Sequence, residues 1–221
     1  MLDYLKRFKS FRFFLGFGAC FVFIAVLVQL DRAAAFDLAI IHAVQSAESA
    51  PLTSLAKSLS LVGSTQLAIV ISLVVMGLLF LLLKHRVEIV LFLWVGLGSQ
   101  VLNTLMKLWF RRERPDLHRM IEQAGFSFPS GHSMAAFSLY GVTAFLLWRH
   151  LRSRRERVVL ILLVVFMTGG IGWSRIYLGV HYPSDVIGGY AVSGAWLMLS
   201  ITLFQKYRES REKKNRNGKR I

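Results

Sequence analysis

The chain has 221 residues, enough for one domain, and 55% of them are hydrophobic, above the usual range of soluble proteins and gathered in long blocks. Its formal net charge of +15 would suit nucleic acid or an anionic membrane surface, but the basic residues border the apolar blocks and leave no folded soluble region to read nucleic acid. The single cysteine, Cys20, lies inside the first apolar block, which excludes an intramolecular disulfide, offers no zinc cluster and reads as a small core residue.

Six blocks are long and apolar enough to cross about 30 Å of hydrocarbon. They run approximately over residues 11–30, 66–83, 87–106, 133–148, 158–174 and 186–204. Lipid offers the backbone no hydrogen-bond partners, so each block is predicted to be a helix. The first follows basic residues and precedes Ala33-Ala34-Ala35, as a cleaved signal would, yet its apolar run is longer than a signal core and predicts a retained span. Residues 31–65 are too polar to span. There Phe36, Ile40 and Val44, then Leu52, Leu55 and Leu59 behind Pro51, repeat at helical spacing, which predicts short amphipathic helices on the interface. Gly63-Ser64-Thr65 is predicted to turn the chain into the second span.

The fold class expected is therefore all-α, a six-transmembrane-helix bundle with short interfacial helices between spans one and two. Residues 1–205 form the membrane domain, and the basic 206–221 segment, without apolar periodicity, is expected to be a disordered tail. The basic N-terminus, the loop at 84–86, the loop at 149–157 and the tail fall on one side, which the positive-inside rule places in the cytoplasm. The loop at 107–119 is basic too, and it lies on the outer side with the other unusual clusters. Trp109, Trp148 and Trp173 near span ends fit interfacial anchors. The localisation implied is a multi-pass plasma-membrane protein with cytoplasmic termini.

Three clusters carry the chemistry. Lys107 and Arg114 are seven apart, two helical turns, so on a continued helix they share a face; alone they would read as snorkelling cations. Pro129-Ser130-Gly131-His132 precedes an apolar helix, so Ser130 reads as its cap, the free N–H groups can face an anion, and Gly131 permits close backbone approach. His132 sits at the membrane edge with an unperturbed pKa suited to a general acid. His181 and Asp185 are one turn apart on a helix entered through Pro183, so the carboxylate can fix one ring nitrogen and free the other for attack. The pair would also suit a metal, but no further ligand cluster accompanies it and the nearby cations oppose one. His42, His85, His118 and His150 lack partners in sequence and read as surface or interfacial residues.

In this order the clusters resemble the tripartite signature of the type 2 phosphatidic acid phosphatase and haloperoxidase superfamily: Lys-x6-Arg-Pro, Pro-Ser-Gly-His, and Ser-Arg-x5-His-x3-Asp, each matched without departure over about a third of the chain. The resemblance implies that Lys107, Arg114, Ser130, Gly131 and Arg175 hold a phosphate, that His181 attacks to form a phosphohistidine, that His132 protonates the leaving alcohol and then activates water, and that Asp185 orients His181. It gives no role to Ser174, Arg111, Arg112 or Arg119. It implies a metal-independent, cofactor-free lipid phosphatase whose partners are membrane lipids, with no obligate protein partner. Phosphatidylglycerophosphate, phosphatidic acid and similar monoesters come first as substrates, with undecaprenyl diphosphate as the alternative. A vanadium-dependent haloperoxidase or a non-enzymatic membrane protein stands as the reading from another class.

Overall fold

The computed structural model describes residues 2–83 and 86–218; Lys84 and His85, from the second basic loop, lie outside them. It consists of α1 (Leu2–Gln29), α2 (Ala34–Gln45), α3 (Ala50–Val62), α4 (Thr65–Leu83), α5 (Arg86–Phe110), α6 (Gly131–Trp148), α7 (Arg154–Tyr177) and α8 (Pro183–Gly218), with no strand among the described residues. Among the described residues, four helical stretches are long and apolar enough to cross a membrane: Lys9–Gln29, Val87–Phe110, Arg154–Tyr177 and Pro183–Lys214. A fifth is available if α3 and α4, bent by 57° at the predicted Gly63-Ser64 turn, count as one broken span.

The expected span at 133–148 falls outside that set for a physical reason. Helix α6 packs against α4, α5, α7 and α8, so much of its surface meets protein rather than lipid and tolerates Ser133, Ser138 and Thr143. Leu139, Val142 and Leu146 of α6 form the core with Leu91, Phe92 and Val95 of α5 and Leu197, Ile201 and Phe204 of α8. Helix α1 lies along α8, α2 packs on α7 and α8, and α3 packs on α7.

One local expectation is corrected. Cys20 is exposed on α1 rather than part of the core, because a lipid-facing helix is apolar on its outer face as well. Helix α8 runs on past residue 205 to Gly218, with Arg208 3.5 Å from Glu212 one turn on and Arg211 over the Tyr207 ring.

What matters for function is how the chain turns at the end shared by α5, α6, α7 and α8. After α5, Arg111 takes a left-handed conformation (φ 48°) and the chain leaves the helix. Between α7 and α8, Gly179 has φ 71°, and a Cβ there would run into the His118 carbonyl of the loop that follows α5. Both strain and contact demand glycine at that position. Gly179→Ala should therefore destabilise the protein by more than about 1 kcal/mol, the ordinary cost of the left-handed region for an L-residue; thermal unfolding in detergent measures it.

Candidate active site

The loop 111–130 has no regular structure, and cations fasten it. Lys107, in the last turn of α5, donates to the Phe126 carbonyl (2.6 Å). Arg114 donates to the carbonyls of Gly125 (2.8 Å), Ala124 (3.1 Å), Phe126 (3.1 Å) and Val180 (2.8 Å). The shared helical face expected of Lys107 and Arg114 does not exist, because α5 ends at Phe110 before Pro115 can be accommodated. The two cations converge nonetheless, through the common acceptor on Phe126.

Ser130 caps α6 as expected, its side chain accepting from the Ser133 amide (3.5 Å) and from the Ser133 hydroxyl (3.0 Å). Its own amide donates to the Asp185 carbonyl (3.0 Å). Gly131 sits against Asn103 of α5, whose amide donates to the Pro129 carbonyl (3.2 Å), and a Cβ on Gly131 would press on the Asn103 side chain. Arg175, at the end of α7, is 1% exposed and donates to Ser60 of α3 and to Gln123 (2.9 Å). Its Nε is buried without a hydrogen-bond partner among the described residues. Buried N–H groups are rarely left so, and this one, beside two other cations, is suited to an anion's oxygen.

The centre is His181, buried between α7 and α8. Its Nδ1 lies 3.3 Å from Asp185 Oδ2 and its Nε2 lies 3.1 Å from Arg114 Nη1. A carboxylate must accept and a guanidinium must donate, so the proton is on Nδ1 and the lone pair on Nε2. Burial first, and then the charges of Arg114, Arg175 and Lys107, hold the His181 imidazole well below its usual pKa. His132, on the first turn of α6, is within electrostatic reach of Arg175, His181, Lys107 and Arg114, so all three clusters meet at one end of the bundle.

Sequence reasoning missed four residues and underrated a fifth. Asn103, Ser60 and Gln123 hold the loop and Arg175; each is a polar residue in a segment with no motif. Asp37 of α2 is wholly buried and accepts from Arg112 Nη2 (2.8 Å). Arg112, which looked like one more loop cation, also donates from Nη1 to Asp185 Oδ1 (2.7 Å) and Ser184 Oγ (2.7 Å). Burial works against its charge, but the two carboxylates outweigh that and raise its pKa. Arg111 is exposed, and Arg119 donates to the Pro115 carbonyl (2.5 Å) and pairs loosely with Asp116 at 3.6 Å. Ser174 is buried, with its hydroxyl donated to the Ile171 carbonyl one turn back (2.6 Å), which gives it a place in the helix. His118 is exposed, paired with Glu48 at 2.9 Å.

The profile of the PAP2 superfamily matches residues 88–209, more than half the chain and all three clusters. The chain belongs to the PAP2 superfamily. It is 38% identical over 117 residues to phosphatidylglycerophosphatase B of Bacillus subtilis (strain 168), a match covering 52% of this chain and 57% of that protein. To a lipid A 1-phosphatase of Rhizobium johnstonii it is 34% identical over 123 residues, covering 48% and 46%. The chain thus spans about half the length of these curated relatives. The crystal structure of a transmembrane PAP2 type phosphatidylglycerolphosphate phosphatase from Bacillus subtilis superposes with a TM-score of 0.79 at 27% identity, over 89% of this chain and 96% of that one.

A buried neutral histidine has a thermodynamic signature. Its pKa is lowered by folding, so below about pH 6.5 the unfolded state binds a proton that the folded state refuses, and stability falls with pH. Between about pH 7 and 5 this amounts to at most about 2 kcal/mol, the value for a group that stays unprotonated throughout. Replacing His181 by Asn should flatten the pH dependence of unfolding by that amount, read from denaturation in detergent at several pH values.

Proposed function

We propose that the protein is an integral membrane lipid phosphatase that cleaves phosphate monoesters through a phosphohistidine on His181. The observation that carries this reading is the line Asp185–His181–Arg114, which fixes the imidazole tautomer and aims the Nε2 lone pair into a cluster of cations. Lys107, Arg112, Arg114 and Arg175 contribute four positive charges against two from Asp37 and Asp185, an excess of two where a phosphate dianion would bind.

The roles then follow. All five N–H groups of Arg114 are engaged, four on carbonyls and one on Nε2, so only the last is exchanged for a phosphate oxygen when substrate enters. Arg175 offers its free Nε–H, and Lys107, Ser130 and Gly131 complete the anion site. Nε2 of His181 attacks phosphorus as the bond to the lipid oxygen breaks, and His132 gives that oxygen a proton. His132 then removes a proton from water, which attacks phosphorus and breaks the P–N bond, releasing phosphate and restoring His181. Asp185 holds the Nδ1 proton throughout.

Helices α1, α4, α5, α6, α7 and α8 serve as six spans of a single domain over 1–205, with α2 and α3 along the surface, both termini cytoplasmic and the site facing outward. A largely apolar cavity of about 310 Å³ between α4, α5 and α6, lined by Met76, Phe92, Leu97, Gly131 and Met134, supports a lipid chain reaching the site from the bilayer. Phosphatidylglycerophosphate is the first substrate to test, given the relatives' names; an undecaprenyl diphosphate preference would appear in the same panel.

The deciding experiment is phosphate release in detergent from a panel of lipid mono- and diphosphates with a chelator present. Turnover should persist in chelator, and vanadate should compete with substrate; activity restored only by a divalent ion would exclude this mechanism. His132→Asn should slow a lipid monoester by about 10²- to 10⁴-fold. With an aryl phosphate, whose leaving group needs no proton, it should give a burst of one phenolate per site, while His181→Asn gives none. For sidedness, in a Cys20→Ser background, Ala124→Cys should react with an impermeant maleimide on intact cells and Arg152→Cys only after the membrane is opened.

A further inference from the structure

Asp37 poses a question that the family signature does not answer. It lies on α2, outside the matched region 88–209, yet it is wholly buried with both oxygens engaged. Oδ1 accepts from the Ser184 amide (2.8 Å), and Oδ2 accepts from the Ser184 hydroxyl (2.7 Å) and Arg112 Nη2 (2.8 Å). The other arm of Arg112 grips Asp185 Oδ1, and its guanidinium lies 4.0 Å over the Tyr182 ring. Asp185 is left with Oδ2 for the Tyr182 amide (2.9 Å) and His181 Nδ1 (3.3 Å). One planar cation therefore stands between two buried carboxylates, each on its own nitrogen, a bridge that a lysine cannot reproduce.

We propose that Asp37 and Arg112 are positioning residues for the phosphoryl transfer: without touching substrate, they fix the rotamer of Asp185 and set the balance of charge around His181. Unbridged, Asp185 would be a buried anion stripped of its charged hydrogen-bond donor and free to turn its other oxygen away from the imidazole. This inference rests on the reading of His181 as nucleophile.

The charges make opposite demands on pH. The groups facing His181 and Asp185 are Lys107 from α5, Arg112 and Arg114 from the loop, His132 from α6, Arg175 from α7 and Asp37 from α2, with Arg119 and Tyr182 beside Arg112. Activity requires a neutral His181 whose Nε2 carries no proton and an ionised Asp185 that holds the Nδ1 proton. Removing the cation in Arg112→Gln lets protons persist to higher pH, so the acid limb of kcat/KM should move up by roughly one unit. Removing the anion in Asp37→Asn should move it down by roughly half a unit. A role confined to holding α2 in place would lower activity in both variants and shift neither limb.

The test measures kcat and KM on dioctanoyl phosphatidic acid across the pH range for Arg112→Gln, Asp37→Asn, their combination and Arg112→Lys. Arg112→Gln should lose about ten- to a hundredfold in kcat with KM within about twofold, since no substrate contact is removed. The combined variant should leave the limb between those of the two single variants, roughly half a unit above its original place. Arg112→Lys should keep the limb, having kept the charge, while kcat stays reduced for lack of the bridge. Limbs that stay put, or move the same way in both single variants, overturn the inference. If Arg112→Gln is not recovered folded, the near-isosteric Asp37→Asn decides alone: a limb unmoved or raised overturns it. An unaltered protein without phosphatase activity overturns the proposed function and this inference together, whereas an active one with unresponsive limbs overturns this inference only.

Discussion

The side chain of Asp185 is the fixed point of this molecule. It is fully buried, and a carboxylate so placed is tolerated only if every oxygen is met by a donor. Arg112 meets one oxygen; His181 and the Tyr182 amide meet the other. Its backbone carbonyl meanwhile takes the amide of Ser130, the residue that caps α6. A single residue in the first turn of α8 thus ties the loop after α5, the start of α6 and the histidine after α7 into one unit.

The second constraint is the irregular loop 111–130. Away from helices its carbonyls need donors, and cations supply them: Lys107 and Arg114 between them hold Ala124, Gly125 and Phe126. Such bonds to charged donors are stronger than neutral ones, so the loop that carries Arg112 and Arg114 is set before any anion arrives. Preorganisation of this kind is what lets fixed charge stabilise a transition state without reorienting as the reaction proceeds.

The comparison of sequence with structure separates two kinds of information. Motif spacing singled out Lys107, Arg114, Ser130, Gly131, His132, Arg175, His181 and Asp185 as candidates, and the structure brings them to one end of the bundle. Apolar periodicity located the helices, α2 and α3 among them. It could not show that Asp37 points inward, because one acid in a short amphipathic stretch resembles any solvated side chain. Nor could it separate Arg112 from Arg111, neighbours of which one bridges two buried carboxylates and the other is exposed. The continued helical face expected of Lys107 and Arg114 failed because chain reversal at Arg111 is a backbone event without a glycine or asparagine to announce it.

The recognisable PAP2 region also ends where the working structure does not. A fragment spanning 88–209 would contain every signature residue, yet Arg112 would lose the carboxylate of Asp37 and Arg175 would lose the hydroxyl of Ser60, both contributed by the preceding helices. The family-matched region and the unit that holds the site together are therefore different objects in this chain. Domain boundaries drawn from signature matches alone would cut through the wiring of the site, and a transplant of the chemistry to another scaffold would have to bring α2 and α3 along.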